Sequence, residues 1–149
     1  MYDKNLTDTF VETYHLMHNY QMIWYLKNFG GIDPQQGQGR ILMALNQLGT
    51  TRQKELIKFL DIRPQSLGEL LQKLESNGYV TRYRSPTDKR SLIVEITDKG
   101  RMFCSQRPDY DEIFVGMTEK ERSALKLSLE KISERLNELL ERENEEDFF

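Results

Sequence analysis

Residues 63–78, RPQSLGELLQKLESNG, decide the fold of this chain. Four leucines recur at the spacing i, i+3, i+4 and i+7: Leu67, Leu70, Leu71 and Leu74. At about 100° per residue this spacing gathers the leucines on one side of an α-helix. Pro64 suits the first helical turn, and Gly78 suits the position just after the helix. The pattern therefore predicts a short helix that buries its leucines.

The other side of this predicted helix is polar and nearly uncharged. It carries Gln65, Ser66, Gly68, Glu69, Gln72 and Lys73. Glutamine can pair with adenine, glutamate can accept from cytosine N4, and serine and lysine can hold phosphates or base edges. A glycine inside a helix lowers the stability of that helix, and a close approach of the backbone to DNA is one reason for Gly68 at this position. An ordinary solvated helix surface is the alternative.

Two segments with a period of two follow the helix. YVTRYR (79–84) and SLIVEI (91–96) are rich in β-branched and aromatic residues and are predicted to be strands. Leu92, Val94 and Ile96 are expected to face inward. The helix and the hairpin together suit a DNA duplex, because the helix fits the major groove and the hairpin can reach phosphates or the minor groove.

The hairpin turn, SPTDKR (85–90), combines turn-forming residues with cations. Its candidate DNA contacts are Arg84, Ser85, Thr87, Asp88, Lys89 and Arg90. An arginine at a hairpin tip can enter a narrow minor groove or hold a phosphate, and Asp88 can orient Arg90. Solvated turn charges are the alternative.

The residues from Gly49 to Gly100 resemble the winged helix-turn-helix of the multiple-antibiotic-resistance regulator (MarR) family of bacterial transcription factors. The markers are the leucine-patterned helix, the exit LESNGYVTR (74–82), the tip Asp88-Lys89-Arg90 and the helix start TDKG (97–100). The resemblance implies a mainly α fold with a small β-hairpin wing in one domain, 1–149. It divides that domain into a winged helix-turn-helix lobe, 33–103, and a dimerisation lobe, 5–28 with 118–144.

Two further helices are predicted between residue 28 and the helix at 63–78. Asp33-Pro34 is expected to start the first, with Ile41, Leu45 and Leu48 buried. A Thr50–Gln53 capping box is expected to start the second, with Leu56, Phe59 and Leu60 buried before it ends at Asp61. Four further candidate DNA contacts lie at helix N-termini, where backbone N–H groups attract phosphate: Thr51, Arg52, Arg63 and Pro64.

The two ends of the chain read as dimerisation helices. Residues 5–28 are apolar over more than half of a helical circumference, which favours burial against a second subunit. Thr118 and Glu121 predict a capping box, and Pro108 interrupts the helix that begins at Thr97. Apolar residues then recur at alternating intervals of four and three residues, as in a coiled coil. These residues, hereafter the seam, are Leu125, Leu129, Ile132, Leu136 and Leu139. This seam is expected to pack with the first helix.

The composition limits the class of protein and its possible partners. The 149 residues are 30% charged with a mean hydropathy of −0.68, and no apolar run approaches the roughly 18 residues that span a bilayer. A cytoplasmic location without membrane contact is expected, and the single Cys104 cannot form an internal disulfide. The net charge is −3, yet residues 52–101 carry 11 basic and 7 acidic groups. Positive charge therefore lies where the DNA contacts are predicted.

The sequence contains two further candidate sites, a histidine pair and a cluster of aromatic residues. His15 and His18 with Glu12 lack the further ligands of a tetrahedral metal shell, so no metal or cofactor is expected. The family resemblance implies an effector cavity for a small aromatic or phenolic compound. Its candidate residues are Tyr14, His18, Trp24, Arg40 and Met43. Interface core is the simpler reading of these residues.

The sequence thus predicts a homodimeric repressor that binds a pseudo-palindromic site on double-stranded DNA. Release by an effector is carried over from the family. The alternative is a winged-helix module that binds a protein partner. No Gly-rich phosphate loop or nucleophile-elbow serine is present, so an enzyme is not expected.

Overall fold

The computed structural model describes residues 5–146, which are mainly helical with a small antiparallel sheet. It divides into one unit that ends at Pro108 and another that begins at Asp109. The first unit contains α1 (Leu6–Phe29), α2 (Gly37–Leu48), β1 (Thr51–Arg52), α3 (Gln53–Leu60), α4 (Pro64–Ser76), β2 (Val80–Arg84), β3 (Leu92–Ile96) and α5 (Asp98–Ser105). The second contains a 3-10 turn (Tyr110–Phe114) and α6 (Glu119–Glu146). The predicted fold class is confirmed.

The leucine side of α4 lies at the centre of the core. Leu67, Leu71 and Leu74 are fully buried, whereas Leu70 is half-buried. Burying one such side chain stabilises a fold by about 1.5–3 kcal/mol. Pro64 begins the helix and Gly78 follows its C-cap with a φ of +79°, as predicted. The side of α4 that faces solvent is therefore fixed by what its leucines bury.

The hairpin also forms as predicted, with a third strand added. β3 lies between β2 and β1, and both neighbours are antiparallel to it. Val94 and Ile96 are buried, and Leu92 is half-buried. The short β1 pairs Thr51 with Val94, a contact that the sequence pattern did not indicate.

The predicted start of α2 is wrong. Asp33 does not cap the helix but accepts a hydrogen bond from the Gln35 backbone nitrogen (2.9 Å), and α2 begins only at Gly37. The backbone folds back so closely that a Cβ on Gly39 would lie 1.8 Å from the Asp33 carbonyl oxygen. The turn at 33–36 thus depends on a glycine further along the chain.

The Thr50–Gln53 capping box is also absent. Arg52 is the N-cap of α3 and makes no side-chain capping bond, because a guanidinium has no acceptor for backbone N–H groups, and Thr51 and Arg52 pair with β3. The Gln53 side chain instead accepts from the Arg82 guanidinium (3.4 Å). The strand pairing therefore replaces the capping interaction.

Two residues expected in the core are exposed. Leu48 has 42% and Phe59 has 48% of its surface accessible. In α2 the predicted burial of Ile41 and Leu45 is confirmed, and Leu42 and Ala44 are buried as well. Leu48 is the last residue of α2, and Phe59 lies to one side of the buried stripe of α3, which Leu56 and Leu60 form.

The C-terminal end of α1 belongs to the core of the first unit. Tyr25 and Phe29 are buried, and their rings lie 5.4 Å and 5.2 Å from the ring of Phe103 in α5. Gly30 ends the helix with a φ of +66°. The rest of α1 presents large apolar side chains, among them Phe10 and Tyr14, which are 44% and 60% exposed.

Both predicted helix starts beyond the hairpin are confirmed. The Thr97 hydroxyl accepts from the Gly100 nitrogen (3.3 Å). Thr118 and Glu121 form the reciprocal capping box, at 3.0 Å and 3.1 Å. Along α6, Leu129 and Leu136 of the predicted seam are 43% and 48% exposed. Across the described residues no helix combines the length and apolarity needed to cross a membrane.

We expect the Leu74→Ala substitution to lower the free energy of unfolding by about 2–5 kcal/mol, because it leaves a cavity in the core. Gln72→Ala, on the exposed side of the same helix, serves as the control and should change it by less than about 0.5 kcal/mol. Urea unfolding followed by circular dichroism measures both values. Equal stabilities would contradict the orientation of α4.

Candidate nucleic-acid interface

The exposed side of α4 holds most of the predicted groove contacts. The exposed members are Arg63, Pro64, Gln65, Ser66, Glu69, Gln72 and Lys73. Gly68 lies among them, and a Cβ placed on it would meet nothing within 4 Å. The structure thus brings these residues to one helix surface, where donors and acceptors can meet base edges.

The hairpin, hereafter the wing (residues 80–96), is tied to the end of α4. Glu75 accepts from the backbone nitrogen of Arg82 (3.1 Å) and from its guanidinium (3.4 Å). The same guanidinium donates to Gln53 at the start of α3. Arg82 therefore holds the wing against the two helices of the helix-turn-helix.

The wing tip is a hydrogen-bonded turn organised by Ser85. Ser85 is only 6% exposed, and its hydroxyl accepts from the backbone nitrogens of Thr87 (3.4 Å) and Asp88 (3.3 Å). Its own nitrogen donates to the Ser91 carbonyl (2.9 Å). Ser85 was expected to contact DNA, but the structure uses its side chain inside the turn. Thr87, by contrast, is exposed.

Asp88 orders the cationic side of the turn. Its carboxylate accepts from the backbone nitrogen of Arg90 and from the Ser91 hydroxyl, both at 3.1 Å. The Arg90 backbone bond is the main reason that the pKa of Asp88 is lowered; the Ser91 bond and the charges of Arg52 and Lys54 lower it further. Asp88 therefore positions Arg90 through the main chain.

The exposed cations converge on a cleft between the start of α3 and the wing. Arg52, Lys54 and Arg90 line this cleft of about 200 Å³ together with Gln53, Ile57, Ser91 and Leu92. Lys54 is not among the contacts predicted from the sequence. Its position two residues after Arg52, in the most basic segment, could have indicated it. Three cations around one cleft make a site for an oxyanion such as a DNA phosphate.

The remaining predicted contacts flank this cleft. Arg84 donates from its guanidinium to the Lys89 carbonyl (2.9 Å), which stiffens the tip and leaves the Lys89 side chain exposed. Thr51 is half-buried in β1. The candidate set is thus divided between the face of α4 and the wing cleft.

The residues suggested for an effector cavity make other contacts. Tyr14 stacks on His18, with ring centroids 6.4 Å apart, and Trp24 packs edge-on against Tyr25 at 5.0 Å. The Arg40 guanidinium donates to the Leu60 carbonyl (2.9 Å) and so joins α2 to the end of α3. Met43 is 42% exposed on α2.

Cys104 is a shielded thiol. Its sulfur donates to the Leu42 carbonyl (3.4 Å), and burial raises the pKa of the thiol to about 11. A thiol with so high a pKa is a weak nucleophile at neutral pH. Within residues 5–146, no group of three or more His, Cys, Asp and Glu side chains is placed to hold a metal ion.

A polar helix held beside a cation-tipped β-hairpin defines a winged helix-turn-helix protein. The MarR family model matches residues 35–92. The multiple antibiotic resistance protein MarR of Salmonella typhimurium is 31% identical over 101 residues, which cover 64% of this chain and 70% of that protein. The chain belongs to the MarR family, whose members are transcriptional regulators and not enzymes.

Further similarity extends to a second regulator and to solved structures. YfiV, an uncharacterized HTH-type transcriptional regulator of Bacillus subtilis, is 31% identical over 102 residues, which are 68% of this chain and only 58% of YfiV. RV1404 from Mycobacterium tuberculosis superposes with a TM-score of 0.69 at 23% identity, over 86% of this chain and 90% of that one. A mutant of MarR from Escherichia coli complexed with operator DNA has a TM-score of 0.50 at 24% identity, over 86% and 98% of the two chains. These two structures share the fold.

The hydrogen bonds of Asp88 predict an acid transition at the wing tip. Because folding lowers its pKa from the ordinary 3.8, the ionised carboxylate stabilises the turn above that pH, and the stabilisation is lost as pH falls through the lowered value. The Arg90 amide signal in NMR spectra should therefore shift with a midpoint below pH 3.8. In the Asp88→Asn variant that transition should vanish; its persistence would assign it to another group.

Proposed function

We propose that this chain is a sequence-specific DNA-binding repressor that acts as a homodimer on a pseudo-palindromic operator. The observation that carries the proposal is the joint exposure of the polar side of α4 and the cationic wing cleft within one unit. The local charge supports it, because residues 52–101 have four more basic than acidic groups although the whole chain has a net charge of −3.

In this proposal α4 enters the major groove and the wing follows the backbone. Gln65, Glu69 and Gln72 meet base edges, whereas Arg52, Lys54 and Arg90 hold phosphates. Two copies related by a two-fold axis place their α4 helices about 10 base pairs apart. The operator is therefore pseudo-palindromic, because its two half-sites follow the same two-fold symmetry. Occupying a promoter in this way would exclude the polymerase.

The dimer is proposed from apolar side chains that one chain leaves exposed. Leu129, Leu136 and Leu139 of α6 are each at least 40% exposed, as are Phe10 and Tyr14 of α1. Repeating apolar side chains at coiled-coil spacing are stabilised by burial against a partner helix. A small aromatic or phenolic effector that favours a dimer geometry unable to fit one duplex would lower DNA affinity by linkage.

Binding to DNA fragments from the upstream region of its own gene tests the proposal. Fluorescence anisotropy over a series of salt concentrations should give saturable binding whose affinity falls steeply with salt, because bound phosphates release counterions. Salt-insensitive binding or none would favour the alternative of a protein partner.

We expect Arg90→Ala to weaken binding to all DNA sequences and to reduce the slope of log K against log salt by about 1, because one phosphate contact is lost. Arg142→Ala, which removes the same side chain from the exposed surface of α6, is the matched control. Equal affinities for the Arg90 variant and the parent would remove the wing from the interface.

The dimer has its own test. Leu129→Glu places a charge in the proposed seam and should convert the protein to a monomer in analytical ultracentrifugation, because an unpaired charge is costly in an apolar interface. Leu127→Glu is the control, since Leu127 is 61% exposed and lies off the seam. A parent that sediments as a monomer, or a Leu129 variant that remains dimeric, would contradict this interface.

A further inference from the structure

Glu69 is a carboxylate in the middle of a surface proposed to meet a polyanion. The other glutamate of α4, Glu75, is occupied by Arg82. Glu69 takes part in none of the ion pairs found among residues 5–146, and Lys73, one turn later, is not paired with it. The side-chain amide nitrogen of Gln65 lies 3.5 Å from its carboxylate oxygen. The carboxylate is therefore exposed and poorly compensated.

Such a group would be unfavourable at a phosphate, because both are negative. Bound DNA leaves it one favourable kind of partner, a hydrogen-bond donor on a base edge. In the major groove these donors are the amino groups of cytosine N4 and adenine N6. Adenine presents the acceptor N7 beside its amino group, and N7 repels a carboxylate that approaches N6. Cytosine has no acceptor of its own in that groove, so it is the better partner.

We infer that Glu69 determines specificity by accepting a hydrogen bond from the N4 amino group of a cytosine in each half-site. This inference rests on the proposed function, because it requires α4 to lie in the major groove. The Gln65 side-chain amide, four residues earlier on the same helix face, lies only at the limit of hydrogen-bond distance (3.5 Å), so the carboxylate is available to a base. Gly68 precedes Glu69 without a side chain, which lets the helix backbone approach the bases at this point.

The experiment is a base-pair scan of a selected site. The parent protein first selects sequences from a random duplex library. Each position of the best sequence is then replaced by all four base pairs, and affinities are measured for the parent, Glu69→Gln and Glu141→Gln. The last variant removes the same charge from the exposed surface of α6. Circular dichroism checks that all three proteins are folded.

The parent should prefer a C·G pair at one symmetric position by about tenfold or more, the range of a good base contact. Glu69→Gln should lose this preference or transfer it to adenine, because an amide pairs with adenine N6 and N7. Preferences at the other positions should stay unchanged, and Glu141→Gln should match the parent.

Two results would overturn the inference, and only one of them would also contradict the proposed function. If Glu69→Gln binds every sequence more tightly by one common factor and keeps the parent's base profile, Glu69 only repels phosphates, and the proposed function survives. If the parent selects no sequence from the library, the proposed function fails together with the inference.

Discussion

The burial of three leucines, Leu67, Leu71 and Leu74, is the constraint on which the rest of the structure depends. Because these side chains are fully covered, α4 cannot rotate about its axis without exposing them to water. The opposite side of the helix is therefore held towards solvent with its amide and carboxylate groups available. The direction of this exposed side is set by the core behind it rather than by interactions within the surface.

The wing acquires its position from a few polar contacts near that helix. Glu75 at the end of α4 holds Arg82, and Arg82 reaches Gln53, so the hairpin and the two helices form one unit. The tip is ordered by local bonds from Ser85 and Asp88. Arginine groups that are positioned in advance lose less conformational entropy on binding. Because the basic residues are concentrated in residues 52–101, a protein with a net charge of −3 can still present a basic surface.

Apolar surface on α1 and α6 imposes a second constraint. Seam residues such as Leu136 remain accessible in one chain, although the spacing of the seam is that of a packed helix. The buried end of α1, at Tyr25 and Phe29, belongs to the core that supports α4. A partner that covered the exposed part of α1 would therefore bind a helix whose other end packs in the same core as α4. This shared core is a physical route from assembly to the proposed DNA contact.

The sequence by itself determined the elements whose signals are local: the leucine spacing of α4, the wing strands, the Thr118 capping box and the basic character of residues 52–101. Only the tertiary structure decided the pairing of Thr51 with Val94, the late start of α2 and the place of Lys54 in the wing cleft. These features join segments distant along the chain or depend on close backbone contact. Periodicity and capping patterns describe one segment at a time, so they carry no information about such approaches.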